Sequence, residues 1–258
     1  SLSLSLSLSL SLSLSSLCEN IIAREMASAG PSKNPGKNPS TAGSRKRKVP
    51  ADAAAEAPSF PFYNLAELGL MSAEQLDQLT QQLLANPGWT DLTTSKGATR
   101  QIDQWSYPPG CTGQVQQDAI VPAHLQFLVP LMNLLFELIA QEDPDIIPLQ
   151  VFLCHYKDGR DSCPAHAHSC RQLTMSFGTP RALTVYTRDE RTNRLTAHHL
   201  PMNQGDVVVL NEERHAVLPT DTPTAGSRMS LNLFFTTRAD ATTKRISVNA
   251  RKRGSKKQ

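Results

Sequence analysis

Apolar residues follow a helical spacing in the middle of the chain and a strand-like spacing after Pro148. Leu76, Leu79 and Leu83 recur every three or four residues, as they would on one face of a helix. Ser72 followed by Gln75 resembles a capping box, so the pattern predicts a helix over residues 73–85.

A second apolar run predicts a helix over residues 125–139. Pro122 lies near its start, and Pro130 is a possible kink because proline has no amide hydrogen to donate within a helix. Polar residues interrupt this run, and no stretch reaches the roughly 18 to 20 apolar residues that a membrane-spanning helix needs. We therefore expect a soluble protein without a membrane segment.

After Pro148 the sequence consists of short β-branched and aromatic runs separated by Gly, Pro and Asp, which is typical of strands and turns. The predicted strands cover residues 149–156, 172–177, 183–187, 206–210 and 229–236. Helices followed by closely spaced strands predict an α+β fold, in which N-terminal helices pack on a double-stranded β-helix, or jelly roll.

The N-terminal region has a different composition. Residues 1–14 repeat Ser-Leu without the basic start or continuous apolar segment of a secretory signal, and a fragment or a translated DNA repeat is the simpler origin. Residues 27–58 have too few large apolar side chains to offset the entropy of ordering. We expect a disordered low-complexity region over residues 1–57, a folded domain over 58–238 and a basic tail over 239–258.

Charge is divided between these regions. Residues 58–238 carry 12 Lys and Arg against 18 Asp and Glu, a net charge of −6, whereas the rest of the chain carries 14 against 5, a net charge of +9. Compact basic runs at residues 45–48 and 251–257 are typical of nuclear-import signals. Basic arms also bind phosphate backbones, so we expect a nucleic-acid partner and a nuclear or nucleocytoplasmic location. The alternative is that the tails only aid solubility or direct import.

The cysteines indicate a reducing compartment. Their number is odd and their spacing is not that of a disulfide framework, in a chain too long to need one: Cys18, Cys111, Cys154, Cys163 and Cys170. We therefore expect an intracellular protein.

The histidines offer candidate metal ligands. His166 and His168 are two residues apart, so in an extended strand both side chains leave the same face and can converge on one ion. His215 follows a predicted strand that a few antiparallel turns can fold back onto this pair. Imidazole suits Fe, Zn, Cu or Ni. The adjacent His198 and His199 are interpreted as an ordinary exposed pair.

A structural zinc knot is an alternative for the same segment. Cys163, His166, His168 and Cys170 form the pattern C-x2-H-x-H-x-C. Four ligands within eight residues strain a tetrahedron, however, and zinc sites usually join two separated pairs. Zinc loss with loss of stability on chelation would identify the knot.

Several short motifs follow one another in order between Tyr156 and the last predicted strand. They are the run from Tyr156 to His168 with its Asp161-Ser162 pair, the strand from Leu173 to Arg181, Gly205-Asp206, His215 with Pro219, and Gly226 to Phe234. Together they resemble the signature of AlkB-like iron(II)- and 2-oxoglutarate-dependent dioxygenases. The resemblance covers roughly residues 60–238 and is strongest from Leu149 onward. It implies Fe(2+), 2-oxoglutarate and dioxygen, and the oxidative removal or hydroxylation of alkyl or methyl groups on nucleic-acid bases.

The resemblance also implies a ligand set. Such enzymes hold iron by two histidines and one carboxylate, with open positions for 2-oxoglutarate and dioxygen. His166 and His215 match the two histidines, and His168 stands at the carboxylate position, which leaves the site one charge unit more positive. We expect all three to act as catalytic metal ligands. Asp161 is the nearest acid that could substitute if the loop runs differently.

Three further residues match the 2-oxoglutarate site of the family. Arg228 would pair with the distal carboxylate, with Ser230 on the same strand face and Tyr156 as a third contact. AlkB is expected to carry another Arg where this chain has Phe234, so the last strand is closer to that of TET and J-binding-protein oxygenases. Cys154 stands where the family has Asn.

The function implied by the resemblance has one rival of another class. The chain could be a degenerate, non-catalytic member of the same fold that binds nucleic acid or a protein. In the enzyme interpretation, a base in a duplex must be flipped out or already unpaired to reach the iron, and the turn over residues 107–110 is a candidate wall of that pocket. We expect a monomer that acts on DNA or RNA.

Overall fold

The computed structural model describes residues 60–108, 121–189, 192–222, 226–243 and 246, which belong to one compact unit. The Ser-Leu repeat, the predicted disordered region over residues 1–57, both basic runs, Cys18 and Cys111 lie outside the described residues. The predicted domain boundaries therefore stay predictions.

Antiparallel strands are the commonest regular structure in the described chain. The described residues form eleven of them: β1 (Phe62–Asn64), β2 (Thr90–Thr93), β3 (Thr99–Ser106), β4 (Ile146–Tyr156), β5 (Cys163–His166), β6 (Arg171–Gly178), β7 (Arg181–Arg188), β8 (Leu195–Met202), β9 (Asp206–Leu210), β10 (Arg214–Val217) and β11 (Arg228–Thr237).

The strands form two sheets. The larger sheet has seven strands in the order β1-β9-β6-β11-β4-β3-β2, and the smaller sheet has four in the order β5-β10-β7-β8. From β4 onward the chain passes back and forth between the sheets, which is the winding of a jelly roll. The predicted fold class, a double-stranded β-helix with N-terminal helices, is confirmed.

The first predicted helix is present as α1 (Ala73–Leu84). The Ser72 hydroxyl accepts from the Gln75 amide at 3.2 Å and the Gln75 side chain accepts from the Ser72 amide at 2.7 Å, so the capping box is formed. The leucines of the predicted apolar face are buried. Thr80 and Asp77 hydrogen-bond Gln204, which docks the helix on the turn before β9.

The second predicted helix differs in detail. A 3-10 helix (Ala123–Leu128) leads into α2 (Val129–Glu142), and Pro130 lies in the first turn of α2, where no helical hydrogen bond is lost. Pro130 therefore lies where the 3-10 helix passes into the α-helix and does not interrupt α2. A last short helix, α3, covers Arg238–Thr243.

The 3-10 helix and α2 together form a helical run that is longer than the predicted helix over residues 125–139. Ala123–Gln141 is 19 residues long with a mean hydropathy of 1.5, which by length and composition suffices to cross a membrane. Half of this run is buried within the protein, and the core helix of a folded domain passes the same test.

All five predicted strands are present, within three residues of their predicted ends. Six further strands were not predicted: β1, β2, β3, β5, β8 and β10. Four of these are only three or four residues long, too short for an alternating pattern, and β8 exposes most of its side chains.

Apolar side chains of both sheets meet in a buried core. Each fully buried aliphatic side chain contributes about 1.5 to 3 kcal/mol relative to an exposed one. The cluster includes Cys154, Tyr156, Cys163, Leu183, Val185, Met202, Val208, Leu210 and Val217. The members on β4 and β5 also border the cavity that holds the candidate site.

Candidate metal and ligand site

Two strands of the smaller sheet bring the three predicted metal ligands together. His166 ends β5 and pairs directly with His215 on β10, so their side chains leave the same face of the sheet. His168 follows two residues later, and the rings of His168 and His166 lie 4.8 Å apart. His215, 49 positions after His166, thus reaches the pair through strand pairing.

The three imidazoles surround one point. Their candidate ligand nitrogens all lie within 4.8 Å of one another. The ring of His215 is 4.5 Å from that of His166 and 5.5 Å from that of His168. Nitrogens bound to one ion at about 2.1 Å stand about 3 Å apart, so a metal would draw the rings inward by small side-chain rotations. The donor set fits a divalent transition metal.

Backbone carbonyls orient two of the rings. The Nδ1 atom of His166 donates to the Pro164 carbonyl at 2.8 Å, and Nδ1 of His215 donates to the Glu213 carbonyl at 3.0 Å. Because Nδ1 carries the proton in this tautomer, Nε2 keeps the lone pair that a metal requires. The hydrogen bond to the backbone therefore leaves Nε2 of each histidine as the atom that can bind a metal.

Burial keeps these rings neutral. Burial, together with the neighbouring His166, lowers the pKa of His215 from its ordinary value to about 3. Burial also lowers the pKa of His166. A neutral imidazole is the metal-binding form, so at neutral pH both rings are ready to coordinate an ion.

Arg228, the predicted 2-oxoglutarate ligand, is buried at the start of β11 with 1% of its surface exposed. Its Nε donates to the Ser176 hydroxyl at 3.2 Å, but Nη1 and Nη2 have no hydrogen-bond partner among the described residues. Gly178 faces Arg228 across the ladder at a φ of 77°, and a Cβ there would lie 2.6 Å from the Ser227 carbonyl oxygen. Because Gly178 has no side chain, its backbone can lie close to the Ser227 carbonyl that precedes Arg228.

The other two predicted ligand-binding residues stand beside Arg228. Tyr156 pairs with it across the ladder, and the guanidinium carbon lies 5.4 Å from the Tyr156 ring centre. Burial raises the pKa of Tyr156 well above its usual range, so the phenol keeps its proton. Ser230 is buried two residues along the same strand face and accepts from the Asn232 amide at 3.2 Å.

One cavity of about 270 Å³ joins all six predicted site residues. Among the described residues that line it there is no Asp or Glu, whereas two arginines are present. The lining also includes residues that sequence reasoning did not select: Arg100, Gln104, Gln150, Gln172, Thr174 and Asn232. Alternation along β11 was a usable signal for Asn232, because it lies two residues beyond Ser230. Arg100 had no such signal, since β3 itself was not predicted.

Asp161 is not a metal ligand, contrary to the alternative considered from the sequence. Its Oδ1 accepts from the Thr99 hydroxyl at 2.7 Å, and its Oδ2 accepts from the Lys157 amide at 2.8 Å. Both oxygens are therefore engaged in fastening the loop before β5. Among the described residues, the group that could hold a metal consists of the three histidines.

The zinc knot is not assembled among the described residues. Cys163 and Cys170 do not join the group of potential ligands, which takes its third member from β10 instead. Cys163 contacts Nδ1 of His166 at 3.6 Å, on the opposite side of the ring from the ligand nitrogen. The three histidines therefore converge from the β5 segment and β10 and not from a single loop.

Two lesser expectations have mixed outcomes. His199 is exposed, as expected, and His198 is partly buried; they hydrogen-bond Thr184 and Thr187 rather than join the metal group. Tyr107 packs edge-on against Phe136 at 6.1 Å and is not among the described residues lining the cavity, so its expected role as a pocket wall is wrong. The rest of that turn, residues 109–110, lies outside the described chain.

Comparison with known proteins finds distantly similar solved structures. No protein-family model and no curated protein matches the chain. Similar solved structures include a 2OG-Fe(II) oxygenase family oxidoreductase from Burkholderia pseudomallei, 16% identical with a TM-score of 0.44 over 64% of this chain and 83% of that chain. A prolyl-4-hydroxylase from Pseudomonas putida is also 16% identical, with a TM-score of 0.45 over 69% of this chain and 92% of that chain. At these values the fold assignment rests on the strand order, and the site rests on the side chains described above.

Proposed function

We propose that this chain is an iron(II)- and 2-oxoglutarate-dependent oxygenase. One observation carries the proposal: three converging imidazoles line the same jelly-roll cavity as a buried guanidinium whose terminal nitrogens have no hydrogen-bond partner among the described residues. The imidazoles offer a divalent metal site, and the guanidinium offers a carboxylate site. 2-Oxoglutarate joins the two, because its 2-oxo acid end can chelate a metal and its other end is a carboxylate.

Each residue has a defined role in this proposal. His166, His168 and His215 would hold the iron, which when bound supplies the activation of dioxygen. Arg228 would bind the distal carboxylate of 2-oxoglutarate through its two terminal nitrogens. Tyr156 remains protonated and can donate a further hydrogen bond to that carboxylate.

The charge of the cavity suits a dianion. No Asp or Glu occurs among the described lining residues, so two guanidinium groups and a divalent metal would face no protein anion. Burying charges of one sign is costly unless a counter-charge joins them. A dicarboxylate supplies two negative charges, which favours 2-oxoglutarate over a neutral ligand.

We further propose that the substrate is an alkylated or methylated nucleic-acid base. A neutral polar surface near the metal ligands supports this: Gln172, Thr174 and Asn232 form a buried hydrogen-bonded set, and the Gln172 Oε1 atom has no partner among the described residues. Phe234 lies on the same strand as Asn232, 4.7 Å from the His168 ring. An amide surface beside an aromatic ring suits a base edge, and a duplex base would first be flipped out.

The basic runs at residues 45–48 and 251–257 bear on where the protein acts and on its nucleic-acid partner. Such runs favour nuclear import and hold a protein near nucleic acid. We therefore propose a nuclear or nucleocytoplasmic monomer that acts on DNA or RNA.

The test is anaerobic binding followed by turnover. Protein loaded with Fe(II) without oxygen should bind 2-oxoglutarate and develop the visible absorption band of a metal-chelated 2-oxo acid. Oxygen should then yield succinate with one or more members of a panel of methylated DNA and RNA oligonucleotides. Binding of neither iron nor 2-oxoglutarate would refute the proposal.

Matched histidine variants sharpen this test. His215→Ala should lose metal binding, because two imidazoles hold a divalent ion far less tightly than three. His199→Ala removes an exposed ring of the same smaller sheet and should bind metal like the parent. Equal metal affinity in both variants would place the metal elsewhere.

A second candidate function is a non-catalytic member of the same fold that binds nucleic acid or a protein. The observation that favours it is the all-imidazole ligand set, which lacks the carboxylate of the usual oxygenase triad. Retained oligonucleotide binding without succinate formation on any member of the panel would support this candidate over the enzyme.

A further inference from the structure

One polar part of the cavity wall lies beside the proposed metal ligands. Gln172 on β6 pairs directly with Phe234 on β11, and the Phe234 ring lies 4.7 Å from the His168 ring. Directly opposed side chains leave the same face of a sheet with their Cβ atoms about 5 Å apart. Both residues line the cavity. Gln172 therefore stands at the metal end of the cavity, one strand away from the aromatic ring that packs against His168.

A chain of hydrogen bonds fixes the orientation of the Gln172 amide. The Asn232 amide nitrogen donates to the Phe152 carbonyl at 2.8 Å, and a carbonyl only accepts, so the Oδ1 atom of Asn232 points the other way. Gln172 contacts that oxygen at 3.1 Å and therefore presents its Nε2 atom to it. The same nitrogen also donates to the Thr174 hydroxyl at 2.6 Å. The Oε1 atom of Gln172 is thus the free end of the amide.

All the hydrogens that this set of side chains can donate are used. Both amide hydrogens of Gln172 go to Thr174 and Asn232, and the Thr174 hydroxyl donates to Asn232 at 3.0 Å. Asn232 donates to the Phe152 carbonyl and, at 3.2 Å, to the Ser230 hydroxyl. Gln172 is 5% exposed, and its Oε1 atom has no partner among the described residues. The set can therefore accept a hydrogen bond from a ligand but cannot donate one.

We propose that Gln172 selects the substrate base by accepting a hydrogen bond from an amino N–H next to the alkylated position. This role rests on the proposed action on nucleic-acid bases. An N–H group gives Oε1 the donor that it lacks, whereas a ring carbonyl at the same place would set two acceptors against each other. The amino and alkyl groups have to be neighbours, because Gln172 stands beside the wall of the metal site. Gln172 positions the base and takes no part in bond making.

Two pairs of methylated bases test the requirement for a donor. 5-Methylcytosine and thymine carry the same ring methyl, which lies next to an amino group in the first and a carbonyl in the second. N6-Methyladenine keeps an N–H on its alkylated nitrogen, and N6,N6-dimethyladenine has none. Each base is placed in the same labelled single-stranded oligonucleotide, as DNA and as RNA, so that no base has to be flipped out of a duplex.

Fluorescence anisotropy on anaerobic protein loaded with Mn(II) and 2-oxoglutarate measures each affinity without turnover. In at least one pair, the member with the N–H should bind roughly 10- to 100-fold more tightly than its partner. This comparison needs only the parent protein.

Variants of Gln172 assign the preference to its oxygen. Gln172→Met and Gln172→Leu should each bring the two affinities of that pair to within about twofold of each other. The two side-chain shapes separate loss of the oxygen from a change in packing, and thermal melts with 2-oxoglutarate affinities establish that the variants are folded. Gln78→Met removes an exposed glutamine of α1 and should keep the ratio of the parent.

The outcomes distinguish this role from the proposed function. If the members of each pair bind equally, yet more tightly than the same oligonucleotide with cytosine or adenine, Gln172 does not select the base. The same holds if both Gln172 variants keep the ratio of the parent, and in either case action on methylated bases stands. If no methylated oligonucleotide binds more tightly than its unmethylated counterpart, action on these bases is overturned, and the role of Gln172 with it.

Discussion

Two buried arginines near Tyr156 are held in opposite ways. The guanidinium carbons of Arg181 and Arg228 each lie 5.4 Å from the centre of the Tyr156 ring. The terminal nitrogens of Arg181 donate to backbone carbonyls, whereas those of Arg228 have no hydrogen-bond partner among the described residues. The carbonyls that receive the Arg181 bonds belong to Asp158, Gly159, Asp161 and Leu218.

The difference separates a residue that stabilises the fold from one that we propose binds a ligand. Arg181 joins the loop after β4 to the segment after β10, and the protein alone satisfies its two terminal nitrogens. Arg228 is buried more deeply than Arg181, but its terminal nitrogens become satisfied only when an anion enters the cavity. A buried cation whose partners are missing from the protein is therefore a better indicator of a site than burial or residue type.

The largest expected effect is a loss of stability when the hydrogen bonds of Arg181 are removed. Arg181→Met leaves several carbonyl groups without their donor, and each unsatisfied buried group costs about 1 to 3 kcal/mol. Some of these groups would regain water, so we expect a loss of about 3 kcal/mol in the free energy of unfolding, measured by chemical denaturation. The exposed Arg188 is the matched control, and Arg188→Met should stay within about 0.5 kcal/mol. Equal stability of the two variants would show that the hydrogen bonds of Arg181 do not stabilise the fold.

The next effect falls on binding rather than stability. Arg228→Met should lower 2-oxoglutarate affinity about 100-fold, because a buried charge-assisted pair is lost. The ligand-free protein should be as stable as the parent or more so, because an uncompensated buried charge is removed. Calorimetry and denaturation on the same samples measure both. A destabilisation as large as that of Arg181→Met would mean that Arg228 also serves the fold.

The sequence predicted a role for Arg228, the proposed ligand-binding member of this pair, but none for the hydrogen bonds of Arg181. The spacing of His166 and His168 and the motif around Arg228 were local signals, and the structure brings these residues to one cavity. The bonds of Arg181 join chain segments 20 to 37 residues apart, and no local pattern encodes them. Arg100 was missed for a related reason, because its place beside Tyr156 depends on the pairing of β3 with β4.

The fold shows the same division between local and long-range information. Helix α1 was predictable because its cap and apolar face lie within a few residues of each other. The short strands β5 and β10, which carry two of the proposed metal ligands, were not predictable as strands, since four residues hold too few alternations. Their pairing is nevertheless what brings His215 to His166.

A pH effect of intermediate size tests whether burial in the cavity keeps the imidazole of His215 uncharged. The pKa of His215 is about 3 in the folded protein, below its ordinary value of 6.5. The unfolded chain therefore binds more protons between these values, so the stability that His215 contributes is present above pH 6.5 and is lost as the pH falls toward 3. At pH 5 the loss is about 2 kcal/mol.

Denaturation of the metal-stripped protein at pH 7.5 and pH 5 measures this loss. His215→Gln lacks the titrating ring and should lose less stability between the two pH values than the parent. Identical pH dependence in both proteins would show that other groups, and not this cavity histidine, control acid stability.

The smallest expected effect concerns the ligand that departs from the usual triad. His168→Asp restores a carboxylate to the metal and lowers the charge of the site by one unit, while Arg100 and Arg228 still attract the dicarboxylate. We expect 2-oxoglutarate-dependent succinate formation to be preserved or raised, within about 1 kcal/mol in kcat/KM. His168→Ala, which offers no ligand atom, is the control and should form less succinate. Complete loss of turnover in the aspartate variant, with iron still bound, would mean that the third imidazole is required. Turnover would then depend on a cavity without a protein carboxylate.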